Sequence, residues 1–126
     1  MEIPANLKYT KDHEWIRVEG NVAVVGVTDY AQSQLGDVVF MDVLISGDSL
    51  QQGEVFGAIE AVKTVVDLYM PLSGEIMEFN TDLESVPESV NKDPYGVGWI
   101  IKINMANPAE VNGLMSADDY KVFIQQ

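Results

Sequence analysis

Glu54-Val-Phe-Gly-Ala-Ile-Glu-Ala-Val-Lys-Thr-Val-Val-Asp-Leu-Tyr-Met-Pro-Leu-Ser-Gly74 sets two apolar, β-branched runs of nearly equal length on either side of one lysine, Lys63. Runs of this kind bounded by glycine and polar residues read as strands. The stretch therefore predicts an antiparallel hairpin, Glu54 to Ala61 and Thr64 to Met70, with Lys63 at its tip. The tip has neither Asn-Gly nor Gly-X, the pairs that favour tight two-residue connections, so turn propensity does not explain Val62-Lys63. Outward from the hairpin, strands are predicted over Glu14 to Val18, Asn21 to Val27, Val38 to Val43, Gly74 to Asn80 and Trp99 to Asn104. The fold class is mostly β. Two β-rich halves flank Lys63 in a loosely symmetrical way, which a pseudo-twofold sandwich would explain.

Short helices interrupt this pattern. Thr28 is placed to cap a helix in which Tyr30, Ala31, Gln34 and Leu35 share a face, and Gly36 is placed to end it. Pro87 to Val90 fits one helical turn, and Asp93-Pro94-Tyr95-Gly96 a turn. Asn107-Pro-Ala-Glu110 has the form of a capping box with proline at the first helical position. Ser116 caps a last helix whose Tyr120, Phe123 and Ile124 recur at helical spacing and lie against the β body.

Whole-chain properties narrow the function. The 126 residues fit one domain, 1–126, and a hydrophobic share of 47% is enough for a core. A net charge of −13 repels phosphate backbones and anionic headgroups, so neither nucleic acid nor membrane is an expected partner. With neither a signal pattern nor a long apolar run, the chain reads as soluble and cytoplasmic. The absence of cysteine and the single histidine, His13, remove thiol nucleophiles and the usual zinc ligand sets. No phosphate-cradling, nucleophile-elbow or calcium-loop motif is present. With no acid, base or metal constellation in view, a non-catalytic role is expected.

The position of Lys63 is the most informative single feature. From Glu19 through Asn91 there are thirteen acids and one base, Lys63 itself. A lone lysine at an exposed tip can guard an apolar strand pair against edge association. It is equally a primary amine that an enzyme can acylate, and the product would swing clear of the scaffold.

The segments Tyr9-Thr-Lys-Asp-His-Glu-Trp15, Val25-Gly-Val-Thr-Asp-Tyr-Ala-Gln32, Leu35-Gly-Asp-Val-Val-Phe40, Phe56-Gly-Ala-Ile-Glu-Ala-Val-Lys63, Asp67-Leu-Tyr, Pro71-Leu-Ser-Gly-Glu75, Val90-Asn-Lys-Asp-Pro-Tyr95 and Gly98-Trp99 occur in order along nearly the whole chain. In these segments the chain resembles the glycine cleavage system H-protein family of lipoyl carriers. The resemblance implies a lipoyl-type barrel-sandwich hybrid with short added helices, including C-terminal ones, and lipoate in amide linkage on Lys63. It further implies that Glu60 and Gly74 are read by lipoylating enzymes. A plainer reading makes Glu60 a surface strand acid and Gly74 a turn glycine needing positive φ. Glu14 and Asp67 are the acids suited to dock an arm that carries an aminomethyl ammonium group, through charge-assisted hydrogen bonds. The chain departs from the family pattern at Val43-Leu44-Ile45, Thr64 and Met70, the first and last of these putting extra apolar surface near strand ends.

By the same resemblance the partners are a pyridoxal-phosphate glycine decarboxylase, a tetrahydrofolate-dependent aminomethyltransferase, a dihydrolipoyl dehydrogenase and a lipoate ligase or transferase. The function implied is a lipoyl shuttle of the aminomethyl group and electrons among them. The alternative is an H-like lipoyl carrier serving lipoate relay or another oxidoreductase. Biotin is disfavoured, since biotinyl domains place their lysine in Ala-Met-Lys-Met and here it stands in Ala61-Val-Lys-Thr64.

Overall fold

The computed structural model describes residues 1–43 and 47–125. Leu44 and Ile45 lie outside the described residues. Nine strands are described: β1 (Lys8–Tyr9), β2 (Glu14–Glu19), β3 (Val22–Val27), β4 (Val38–Val43), β5 (Ser49–Leu50), β6 (Val55–Ala61), β7 (Val65–Tyr69), β8 (Gly74–Phe79) and β9 (Ile101–Met105). They form a six-stranded sheet in the order β1-β2-β3-β9-β8-β5 and a three-stranded sheet in the order β4-β6-β7. All pairings are antiparallel. This is the mostly-β, barrel-sandwich architecture expected from the sequence. Its two sheets are unequal, and the larger takes strands from both sides of the Lys63 hairpin.

Alternation along β2 and β3 explains how one sheet serves two cores. Ile16, Val25 and Val27 point inward to meet Phe56, Ile59 and Leu68 of the smaller sheet and Ile76, Ile101 and Ile103 of the larger one. Trp15 and Val24 point the other way, into a second cluster with Leu7, Tyr9, Ala117 and Tyr120. Gly26 makes that cluster possible, because a Cβ there would come within 2.6 Å of the Trp15 indole. The indole N–H then donates to the Pro94 carbonyl at 2.9 Å. Met70, one of the departures from the family pattern, is only 1% exposed and belongs to the first core.

Four α-helices are described: α1 (Asp29–Leu35), α2 (Asp82–Ser85), α3 (Ser89–Lys92) and α4 (Ala117–Ile124). α1 and α4 begin as the sequence predicts, with Thr28 Oγ1 accepting from Ala31 N–H and Ser116 Oγ from Asp119 N–H. Gly36 ends α1 at φ 76°, in the left-handed region. The capping box at Asn107 does not form. Pro108–Gly113 is a 3-10 helix without a side-chain cap, and the Glu110 carboxylate instead accepts from Ser73 N–H at 2.7 Å and Ser73 Oγ at 2.9 Å. Two donors from one residue outcompete a single backbone N–H.

Candidate functional site

The hairpin forms as predicted, with Val62, Lys63 and Thr64 joining β6 to β7 and the turn closed by Ala61 N–H donating to the Thr64 carbonyl at 2.8 Å. Lys63 is exposed. Among the described residues the salt bridges are Arg17–Glu19 and Lys102–Glu78, so the Lys63 ammonium is not neutralised by a neighbour. Its stem runs over Gly36, where a Cβ would stand 3.4 Å from Lys63 Cε. A free, accessible primary amine on an anchored tip is what acylation requires.

A cleft of about 340 Å³ lies between α1 and β7. Tyr30, Gln34 and Leu35 line one wall, Asp67 and Tyr69 the other, and Asp12 and His13 close the side. Its walls lead to Lys63, since α1 ends at Gly36 beneath the lysine stem and β7 begins just after the tip. A chain attached to the amine has this cleft within reach. Asp67, an acid expected to dock the arm, lines it and also lines a second hollow with Asp42 and Ala58 on the smaller sheet.

Glu14 does not have the exposure that a surface docking acid requires. It is 1% exposed, its carboxylate accepting from Tyr69 N–H at 3.1 Å and Thr10 Oγ1 at 3.3 Å. Burial, reinforced by the negative charge of Asp12, raises its pKa well above the ordinary value; the two hydrogen bonds oppose this more weakly. The cause is packing. Tyr69 also lines the cleft, so Glu14 stands behind the β7 wall, bonded to its backbone.

Glu60 is exposed at the centre of a row across the smaller sheet, paired with Phe40 on one side and Val65 on the other. Gly74 is buried within β8, paired with Leu50 and Met105. Its φ is not left-handed, which corrects the turn-glycine reading. The requirement is close approach, because a Cβ at this position would collide with the Asn104 carbonyl and stand 2.7 Å from Ile103 Cγ2.

Sequence reasoning missed His13 as a cleft residue. It holds φ 64°, the only left-handed non-glycine backbone among the described residues, and strain of this kind concentrates at functional sites. His13 Nδ1 is 2.8 Å from Tyr120 Oη, which is 2.7 Å from Thr28 Oγ1. The His13 ring lies 4.9 Å from that of Tyr30. Burial lowers the His13 pKa against the opposing pull of Asp12, and burial pushes the Tyr120 phenol up to about 12. The available signal was a lone histidine beside an acid, which does not by itself imply a cleft.

Among the described residues no helix is long and apolar enough to cross a membrane. The glycine cleavage H-protein family model matches residues 7–126. A glycine cleavage system H protein of Bacteroides fragilis is 56% identical over 124 residues, covering 98% of both chains. One from Symbiobacterium thermophilum is also 56% identical, over 98% of this chain and 97% of its own. The crystal structure of a glycine cleavage system H protein from Mycobacterium marinum superposes with a TM-score of 0.89 at 36% identity, covering 98% of this chain and 99% of that one. With a family model spanning nearly its whole length, and relatives this similar end to end, the chain belongs to the glycine cleavage H-protein family.

Proposed function

We propose that the protein is a lipoyl carrier of the glycine cleavage system, with lipoate held in amide linkage on Lys63. It would carry the aminomethyl group from glycine decarboxylase to the tetrahydrofolate-dependent aminomethyltransferase, and electrons to dihydrolipoyl dehydrogenase. The observation that carries this reading is the exposed, unneutralised Lys63 amine at a hairpin tip, at the head of a cleft. When bound, lipoate supplies the redox-active disulfide, which fits a chain without cysteine.

The protein's own residues perform three tasks. The anchored tip presents one amine. Glu60, exposed three positions before it, is the side chain a lipoylating enzyme reads. Gly74 is buried, so it acts through the packing of β8 on β9 rather than by contact. Asp67 attracts a cationic cargo into the cleft, and the cleft walls keep water from it. Glu14 supports that task from behind, its carboxyl group tying the Tyr69 backbone of the cleft wall to Thr10.

The experiment is incubation with lipoate, ATP and a lipoate ligase, followed by intact mass and peptide mapping. One lipoyl group on Lys63 is expected, and none on Lys63→Arg, which keeps the charge but lacks the acylated amine. A lipoyl mass on Lys8, Lys92 or Lys102 instead would overturn the assignment.

A further inference from the structure

Asn91, on the single turn of α3, makes three hydrogen bonds to the segment beneath the lysine. Its Oδ1 accepts from Val38 N–H at 2.9 Å, and its Nδ2 donates to the Gly36 carbonyl at 2.7 Å and to Gln32 Oε1 at 3.2 Å. A backbone N–H only donates and a carbonyl only accepts, so the orientation of the amide is fixed and a carboxylate cannot reproduce it. Between those two anchors, the Asp37 carbonyl accepts from Val62 N–H at 3.0 Å, one residue before Lys63. That bond extends the β4–β6 ladder, whose last strand pair is Val38 with Ala61, into the tip. The lysine stem passes close to Gly36, where an added Cβ would stand 3.4 Å from Lys63 Cε. The neighbour of Asn91, Val90, is fully buried in the main core, so the whole chain of contacts is tied to the rigid body.

We propose that Asn91 is a positioning residue for Lys63. Its amide clamps Gly36 to Val38, and that clamped segment fixes the hairpin tip in the geometry that lipoylating enzymes engage. The inference rests on the reading of Lys63 as the attachment site. Without the clamp the amine keeps its reactivity and exposure but loses its fixed presentation, so an enzyme must order the tip on binding.

The test compares wild type, Asn91→Asp, Asn91→Ala and a control, Asn21→Ala. The control removes a side-chain amide bonded to Asn104 and Met105, away from the tip. The first measurement is amide hydrogen exchange. Asn91→Asp, which keeps the shape and the Oδ1 acceptor, and Asn91→Ala should each speed exchange at Val62 by about tenfold or more while Ile101 and Ile103 stay protected. The second is steady-state lipoylation with the carrier as varied substrate. KM should rise about three- to tenfold with kcat nearly unchanged, the signature of a lost ordering contribution rather than lost chemistry. Unchanged Val62 exchange in both Asn91 variants, or an equal KM rise in Asn21→Ala, would overturn the inference. Wild type left unmodified at Lys63 would instead overturn the attachment reading, and the Val62 measurement still decides whether the clamp exists.

Discussion

Glu14 places a carboxyl group where water cannot reach it, and two hydrogen bonds do not offset the desolvation. The folded state therefore holds the Glu14 proton more tightly than the unfolded chain. Stability from this proton is fully present below the ordinary pKa of 4.5 and is lost as pH rises through the raised folded value. Glu14→Gln should therefore match wild type in urea unfolding near pH 4 and exceed it at pH 7. A variant less stable than wild type at pH 7 would sink this account. Gly74→Ala should cost about 1–3 kcal/mol, since the new methyl group meets backbone that cannot rotate away. Equilibrium unfolding checks it, and any loss of lipoylation in that variant must be read at matched folded fraction. At this scale the sequence was informative about residue type and silent about depth. Lys63 stood out by its isolation among acids, but the burial of Glu14 depends on packing against Tyr69, fifty-five positions away along the chain. The strand that begins at Glu14 buries three residues in succession, so alternation gave no warning.

Among the elements, α1 matters most to the site because it supplies one cleft wall and the support for Lys63. Its start depends on Thr28 Oγ1, which accepts from Ala31 N–H at 3.1 Å and also meets the buried Tyr120 hydroxyl at 2.7 Å. Thr28→Val keeps the shape and loses both bonds, so it should destabilise by about 1–2 kcal/mol, whereas Thr28→Ser should lose much less. Thermal unfolding of the two variants separates the hydroxyl from the methyl group; equal losses would mean that the methyl group, which only the serine variant lacks, matters as much as the two hydrogen bonds. Both ends of α1 were legible because capping chemistry is local. So were the long strands, whose β-branched composition persists for five to seven residues. β1 and β5, with two residues each, are too short to show a period. They exist because neighbouring strands offer free backbone groups. α2 follows Thr81, and Thr81-Asp-Leu-Glu84 has the residues of a capping box, yet the Thr81 side chain makes no cap hydrogen bond and the helix is a single turn. The cleft was not legible as a cleft, because its walls come from α1, β7 and the turn before β2, and only the fold brings them together.

Across the whole molecule, charge sets the balance of long-range forces. The net charge is −13, and the two salt bridges among the described residues join side chains that are 39% and 54%, and 37% and 54%, exposed. Exposed pairs of this kind contribute about 0–1 kcal/mol each. Repulsion among thirteen acids from Glu19 through Asn91 thus has little attraction to oppose it, and it acts most strongly in the compact state. Added salt shortens the screening length from about 30 Å at 0.01 M to about 10 Å at 0.1 M and about 3 Å at 1 M. Screening should therefore remove more repulsion than attraction. The melting temperature should rise by about 2–6 °C between 10 mM and 500 mM NaCl, most steeply at the low end, for a stabilisation on the order of 1 kcal/mol. Calorimetry at pH 7 reads this directly, and tetramethylammonium chloride separates its possible sources. An equal rise with that bulky, weakly coordinating cation assigns the effect to screening. A rise confined to sodium would mean that a bound cation, not relief of self-repulsion, stabilises the fold, and a fall with both salts would mean that the exposed ion pairs outweigh the acids.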